Sequence, residues 1–397
     1  MLKDFKKCFF YAPLPVISLV IYMGLRSSVI FPDDLLIASD RQPLWQQAYL
    51  GWYDGLFLLS IVVSFALGSL KLFKANFVFI WTLALTIFLS LFNALTVEPE
   101  IAIDATVYFL RFALTFSLSV WLVRRLGSQA VESLIICLFI ILAITALFVG
   151  SLQFRTFNRL YASAMTVASF SQVAVVVCFI ALIRKYNTLL GVTLCFLLLT
   201  FSKTSILLLL ILLGVHFRRY IFGIIKYLVV IFLIFASGVF TLLQVANPIF
   251  TSFFSRYVDS DSLLSASGRL PLWEYATHLL QSGKVPLLGV GFNAASSLFV
   301  LNNINYVENG EIYYNQHFHS ILIEYGLGLG ILSIFIFFFL FRRIWQSFHA
   351  HGHVSFLIFS FFLLSQSIDY SFYRPKEVII WSLILGLAEG KWKFEGG

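Results

Sequence analysis

Residues 331–343 read ILSIFIFFFLFRR, an apolar run that ends in two arginines. Long apolar runs of this kind recur along the chain from Phe9 to Leu387. Hydrophobic residues make up 60% of the 397 residues and charged residues 12%, against roughly 25% charged in soluble proteins. This composition excludes a soluble enzyme and a disordered scaffold, and it predicts an all-α polytopic membrane protein that lies in a lipid bilayer.

The positive charges are arranged in pairs between the apolar runs, so the net charge of +8 does not predict a nucleic-acid partner. Basic clusters occur on every second connection: Lys3, Lys6 and Lys7; Lys71 and Lys74; Arg124 and Arg125; Arg184 and Lys185; Arg218, Arg219 and Lys226; Arg342 and Arg343; Lys391 and Lys393. This alternation is the positive-inside pattern of a multi-pass protein with both termini in the cytoplasm. About twelve membrane-spanning helices keep it consistent, beginning near residues 9, 52, 76, 105, 130, 162, 187, 205, 227, 318, 354 and 377.

The predicted spans divide the chain into three parts. Residues 1–245 hold the first nine spans, residues 246–317 form one large external loop, and residues 318–397 hold the last three spans. Within the loop, residues 270–280 have helical periodicity with Trp273, Ala276 and Leu280 on one side, and residues 286–292 predict an extended segment and a turn. A long external loop with helices of its own usually covers a site at the membrane surface.

Eleven basic residues lie outside the cytoplasmic clusters: Arg26, Arg41, Arg111, Arg155, Arg159, Lys203, Arg256, Arg269, Lys284, Arg374 and Lys376. Cations in the outer half of the protein suit an anionic ligand such as a lipid diphosphate. The alternative is that such side chains reach toward lipid headgroups, which we prefer for Arg26, Arg41, Lys284 and Lys376. Arg111 and Lys203 lie within or between apolar segments, where an ionisable residue indicates a functional site.

A second group of polar residues lies where the large loop enters the tenth span. His317 and His319 are followed by Ser320 and Glu324, and a histidine here can accept a proton from a sugar hydroxyl. The alternative is a histidine that hydrogen-bonds to the backbone at a helix start, with Ser320 as its cap. Two histidines two positions apart point to different sides, so we expect no shared metal ion.

Asp369 lies near the external end of the eleventh span and is followed by Arg374. An aspartate at this depth is unfavourable unless it is paired. A structural ion pair and a functional role both remain open for these two residues.

Several of these segments together resemble the O-antigen ligase and polymerase superfamily. The segments are Ser267-Gly268-Arg269-(x)3-Trp273, Pro286-(x)2-Gly289-Val290-Gly291-Phe292, and His317-Phe318-His319-Ser320-(x)3-Glu324-(x)-Gly326. Upstream, Phe201-Ser202-Lys203-Thr204-Ser205 is similar to a turn in which the superfamily has arginine where this chain has Lys203. Asp369 with Arg374 resembles a late Asp-and-Arg segment of the same superfamily.

The resemblance implies a GT-C-like glycosyltransferase of the bacterial inner membrane with its active site facing the periplasm. Such proteins transfer a glycan from undecaprenyl diphosphate, without cofactor or metal, and we expect inversion at the sugar carbon. The implied diphosphate-binding residues are Lys203, Arg269, Arg111, Arg159, Arg374 and His317. The implied general base is His319, and Asp369 or Glu324 orients it.

Two reactions are compatible with the resemblance. A polymerase uses a second lipid-linked glycan as acceptor and works with a chain-length regulator, whereas a ligase uses lipid A–core. We favour the polymerase because it is the more varied group. A flippase or transporter for lipid-linked oligosaccharides is a more distant alternative, since it would place cations in a central cavity among broken helices.

Overall fold

The structure is a computed structural model, and it describes residues 2–28, 52–66, 84, 88, 91–92, 95, 99–157, 167–200, 202–216, 269–283, 285–291, 295, 306–308, 311–313, 320–346, 353–368 and 375–390. The helices of these ranges are α1 (Leu2–Tyr11), α2 (Pro13–Ser28), α3 (Trp52–Ala66), α4 (Pro99–Leu126), α5 (Ser128–Phe157), α6 (Val167–Ile183), α7 (Asn187–Leu199), α8 (Lys203–His216), α9 (Arg269–Gln281), α10 (Ile321–Leu329), α11 (Leu332–Gln346), α12 (His353–Ile368) and α13 (Pro375–Glu389). The predicted helical class is therefore confirmed for the described ranges.

Only some of the described helices are long and apolar enough to cross a membrane. Among the described residues, the segment Ser128–Leu147 of α5 is long and apolar enough to cross a bilayer alone. The bent pair α1–α2 passes the same test when its two helices are taken together. Spans predicted to begin near residues 76, 162, 227 and 318 start outside the described residues, so the count of twelve stays a prediction.

The first predicted span differs from the structure. A helix was expected from about residue 9, but α1 and α2 are separate helices whose axes differ in direction by 113°. The break lies at Ala12, immediately before Pro13. Proline has no N–H to donate and its ring clashes with the preceding turn, so it starts a helix rather than continuing one.

Close packing of two parallel helices forms the centre of the bundle. The Ser119 hydroxyl on α4 donates to the Leu383 carbonyl on α13 at 2.7 Å. A Cβ on Gly386 would lie 2.5 Å from the Ser119 Cβ, and one on Gly390 would lie 2.5 Å from a Val123 methyl group. Small residues at these positions allow two helix backbones to approach closely, as is usual inside membranes.

The N-terminus joins the bundle beside the ends of two other helices. The buried Cys8 thiol on α1 donates to the Ala130 carbonyl at the start of α5, at 3.3 Å. The Arg125 guanidinium on α4 lies over the Tyr11 ring, 5.8 Å from its centre. These contacts place the end of α4 and the start of α5 against α1.

Two ion pairs lie at the same end of the bundle. Arg184, which follows α6, donates to both carboxylate oxygens of Glu132 at 2.7 and 2.6 Å. Arg343 on α11 lies 3.1 Å from the Glu389 carboxylate on α13, and Glu389 precedes the Gly390 that packs on α4. We call this end, marked by Cys8, Arg125, Arg184 and Arg343, the basic end.

The tenth predicted span is divided into two helices. α10 and α11 are separated at Gly330, which has φ +54°. The turn that precedes this region in the chain fills the break, because the Gly291 N–H donates to the Gly328 carbonyl at 2.7 Å. In the other direction, the Ile331 N–H donates to the Leu287 carbonyl at 3.0 Å. The turn predicted over residues 286–292 is thus present in its described part, residues 286–291, and it contacts the backbone of the helix break.

One feature departs from the all-helical prediction. Two three-residue strands, β1 (Tyr306–Glu308) and β2 (Glu311–Tyr313), pair antiparallel with Val307 opposite Ile312. They lie within the predicted large loop. A two-stranded hairpin this short does not alter the helical class of the protein.

Candidate functional site

The turn that carries Lys203 connects two short helices. α7 ends at Leu199 and α8 begins at Lys203, so residues 200–202 connect the two helices. Ser202 precedes α8, and its hydroxyl accepts a hydrogen bond from the Ser205 backbone N–H at 3.3 Å. A serine in this position satisfies an N–H that has no acceptor within its own helix. The cap therefore fixes the start of α8 at Lys203.

A buried serine pair attaches the start of α8 to a neighbouring helix. The hydroxyl oxygens of Ser205 on α8 and Ser171 on α6 lie 2.6 Å apart, and both residues are buried. Ser202 also donates to the Ser205 hydroxyl at 3.0 Å. Hydrogen bonds between hydroxyl groups in an apolar interior hold helices at a defined register.

A pair of glutamines continues this polar region onto a third helix. The Gln366 amide on α12 donates to the Gln172 carbonyl oxygen on α6 at 2.8 Å, and both side chains are buried. Gln366 lies three positions before Asp369 in the chain. The amide pair therefore anchors the helix end from which the chain continues to Asp369.

These side chains lie at a common level in the bundle. With a rise of about 1.5 Å per residue, Ser171 is about 20 Å from Arg184 along α6. Arg111 is about 18 Å from Val123 along α4 by the same rise. This level is thus about 18–20 Å from the basic end along both helices. We call the set Arg111, Ser171, Gln172, Ser205 and Gln366 the polar layer.

Two buried cations lie on the central helix pair. Arg111 on α4 is 1% exposed, and Lys376 in the first turn of α13 is 0% exposed. Since α4 and α13 run parallel with Ser119 opposite Leu383, Arg111 lies at the level of the start of α13. The Lys376 ammonium donates to the Met23 carbonyl of α2 at 3.4 Å.

The location of Lys376 corrects the prediction that its side chain reaches toward lipid headgroups. α13 is enclosed by other helices, and its next residues, Glu377, Val378 and Ile379, are buried as well. With no exposed surface, the Lys376 side chain does not extend to lipid headgroups. Its position next to a helix-starting proline inside an apolar region is a signal that the sequence reasoning undervalued.

Glu324 lies in the first turn of α10 and is completely buried. Its backbone N–H donates to the Ser320 carbonyl at 2.8 Å. A carboxylate in the first helical turn is stabilised by the positive end of the helix dipole. Ser320 occupies the N-cap position, as expected, but its side chain makes no capping hydrogen bond. α10 packs against both α9 and α12, so Glu324 belongs to the region where these helices meet.

The loop helix predicted over residues 270–280 is confirmed as α9, and Arg269 is its first residue. Its buried face contains Ala276 and Leu279, which pack against Leu327 of α10. Leu280, which we had placed on this face, is 57% exposed. Spacings of three residues along the helix, rather than four, therefore define the packed side.

Five predicted site residues lie outside the described residues: Arg159, His317, His319, Asp369 and Arg374. Arg111, Lys203, Arg269 and Glu324 are described in α4, α8, α9 and α10 respectively. The structure thus brings α10 against α9, and it joins α8, α6 and α12 through the serine and glutamine pairs. Those two pairs were missed by the sequence reasoning, although hydroxyl and amide groups inside apolar runs are a recognisable signal.

Chemically, the described candidates comprise basic residues, a buried carboxylate and neutral hydrogen-bonding groups on separate helices. Within the described ranges, no three His, Cys, Asp or Glu side chains are grouped as ligands for a metal ion. Such a set can hold an anionic ligand and orient neighbouring groups by hydrogen bonds.

A comparison with protein families finds one match in this region. Residues 188–338 match the family described as O-antigen ligase. The matched segment includes Lys203, Arg269 and Glu324, whereas Arg111 and Lys376 lie outside it. No curated protein matches the chain. The resemblance to the O-antigen ligase and polymerase superfamily is thereby confirmed over residues 188–338, the segment that is similar to the O-antigen ligase family.

Proposed function

We propose that this protein is a glycosyltransferase that takes a glycan from undecaprenyl diphosphate and transfers it to an acceptor sugar at the periplasmic face of the inner membrane. One observation carries the proposal. The segment that matches the O-antigen ligase family contains Lys203, Arg269 and Glu324, and Lys203 lies two residues before Ser205 of the polar layer, away from the basic end. Both termini are then cytoplasmic, and residues 246–317 are periplasmic.

The proposed chemistry uses the leaving ability of a diphosphate. Lys203 and Arg269 stabilise the negative charge that develops on the phosphate oxygens, with Arg111, Arg159, Arg374 and His317 as weaker ligands. Arginine can bind two phosphate oxygens at once, whereas Lys203 supplies a point charge. The cations replace a metal ion, and we expect activity to survive EDTA.

The acceptor hydroxyl must transfer its proton to a base as it attacks. His319 takes its proton as the hydroxyl oxygen forms a bond to the anomeric carbon, and the bond from that carbon to the diphosphate breaks. Direct displacement of this kind inverts the configuration at the sugar carbon. Glu324 or Asp369 orients His319 and balances the positive charge that it gains, in the way that a carboxylate supports a catalytic histidine elsewhere.

Polymerisation of lipid-linked repeat units is the first candidate reaction. The ligase reaction is the second, because the matching family is described as O-antigen ligase. Assays with purified protein in nanodiscs separate them, using a defined undecaprenyl-diphosphate glycan with and without lipid A–core. A ladder of products without core lipid identifies a polymerase, and glycosylated core identifies a ligase. Movement of the glycan lipid across the bilayer without any new glycosidic bond would overturn the proposal in favour of a transporter.

The same assay tests Lys203, the cation at the start of α8. Lys203→Ala should lower turnover at least tenfold, whereas Lys203→Arg keeps the charge and should retain or increase turnover. Lys185→Ala is the matched control, because it removes an exposed lysine from the basic end. Equal activities of Lys203→Ala and Lys185→Ala would show that Lys203 does not bind the donor.

A further inference from the structure

Helix α1 lies at 113° to α2, the next helix in the chain. One side of it is attached to the protein. Cys8 is completely buried against Ala130, and Phe5 packs on the hydrophobic core. At 113° to α2, α1 is closer to perpendicular than to parallel with that helix, the orientation of an amphipathic helix at a membrane surface when its neighbour crosses the bilayer.

The other side of α1 exposes both basic and aromatic residues. Lys6 and Lys7 are exposed, and the exposed fractions of Phe9 and Phe10 are 46% and 80%. Helices that bind at the bilayer surface combine cations with aromatic side chains in this way, because the cations meet phosphates and the rings enter the headgroup region.

Asp4 offsets the charge of Lys7 and leaves that of Lys6. Its carboxylate accepts a hydrogen bond from the Lys7 ammonium at 2.9 Å, and this bond lowers the pKa of Asp4 below its usual value. The pair is close to neutral at physiological pH. Lys6 therefore provides the positive charge of the exposed face of α1, together with the arginines of a neighbouring helix.

Those arginines are Arg124 and Arg125, which are exposed in the last turn of α4. Arg125 lies over the Tyr11 ring at 5.8 Å, so the end of α4 is continuous with the exposed face of α1. We call the set Lys6, Lys7, Phe9, Phe10, Arg124 and Arg125 the N-terminal patch.

We propose that the N-terminal patch binds the headgroups of anionic phospholipids, with Phe9 and Phe10 inserted at the boundary between headgroups and acyl chains. Charge complementarity selects an anionic lipid over a zwitterionic one. The arginine guanidinium groups bind phosphate oxygens in pairs, and Lys6 adds a point charge. This surface lies at the basic end, away from the polar layer, and its function does not depend on the proposed transferase reaction.

The test measures lipid binding to the full-length protein in neutral detergent by native mass spectrometry. Phosphatidylglycerol and phosphatidylcholine with identical acyl chains are titrated in parallel. We expect tighter binding of phosphatidylglycerol to the native chain. The double variant Lys6→Gln/Arg125→Gln should weaken that binding about 25-fold, since each cation near an anionic lipid surface is worth about a fivefold change.

The matched control is Lys185→Gln/Arg342→Gln. It also removes one exposed lysine and one exposed arginine from the basic end, but from outside the patch. The proposal requires this control to keep its phosphatidylglycerol affinity within about twofold. Lys6→Gln alone, which changes an exposed side chain, gives a second measurement that does not depend on the Arg125–Tyr11 contact. Equal affinities for the two lipids, or equal losses in the two double variants, would overturn the proposal.

Discussion

At the scale of single residues, Arg269 in the first turn of α9 gives the most informative test of the proposed contact to diphosphate. Arg269 begins this helix, and the proposed reaction places a diphosphate beside it. Arg269→Lys keeps the positive charge but removes the two-pronged contact to phosphate, so we expect it to lose most of the turnover. Steady-state turnover with the lipid-linked donor measures this, and His278→Gln, an exposed position on the same helix, is the control. Full activity of Arg269→Lys would limit Arg269 to a general electrostatic role.

Substitutions of His319 test whether this residue is the general base of the proposed reaction. His319→Ala should lower turnover by on the order of 10²-fold or more while the donor still binds, because the proton acceptor is needed only as the new bond forms. Phe318→Leu, at the adjacent position, should be mild. Under the alternative that His319 only caps a helix, His319→Asn retains near-normal turnover, since asparagine also caps. That result would falsify the catalytic role.

At the scale of elements, the break between α10 and α11 depends on glycine. Gly330 has φ +54°, and a Cβ there would overlap the Leu287 carbonyl. Gly289, with φ +76°, meets the Gly328 carbonyl in the same way. These glycines allow the loop turn to bond to the backbone of the broken helix.

Gly330→Ala should therefore lower the free energy of unfolding by about 2 kcal/mol or more, from the strained backbone and the overlap together. Gly326→Ala on the same helix is the matched control, because a Cβ there meets nothing within 4 Å. It should stabilise the helix by about 0.5–1 kcal/mol or leave it unchanged. Unfolding in a mixed detergent series measures both. Equal stability of the two variants would show that the turn and the helix break do not contact one another.

At the scale of the whole molecule, the two ends of the bundle are chemically different. Arg125, Arg184 and Arg343 lie at the basic end, two of them in ion pairs, whereas Lys203 begins the helix that enters the polar layer. We expect this difference to define the sides of the membrane.

Cysteine labelling tests that expectation on a background without native cysteines. A cysteine at the exposed Ser282, just after α9, should react with a membrane-impermeant maleimide in intact cells. A cysteine at the exposed Lys185 should react only after the inner membrane is opened. Labelling in the reverse order would invert the topology and place the proposed site in the cytoplasm.

Much of the architecture follows from the chain alone. The apolar runs predicted the helical class, and the residues near 52, 130, 187 and 354 begin helices within two positions of the prediction. The motifs at Lys203 and Arg269 predicted the superfamily, and the structure places each at the first residue of a helix. These predictions succeed because hydrophobic periodicity, charge and local capping are properties of neighbouring residues.

Only the tertiary structure decided which residues distant in the chain contact one another. The sequence by itself determined an all-α chain with charges on alternate connections and a candidate set of cations. It did not determine that Gln172 meets Gln366, that Ser171 meets Ser205, or that Lys376 is enclosed. In an apolar chain every helix face looks equally suited to lipid and to protein, so sequence periodicity does not distinguish the packed face. Packing of whole helices decides that choice, because a buried polar group is stable only where another helix supplies its hydrogen-bond partner.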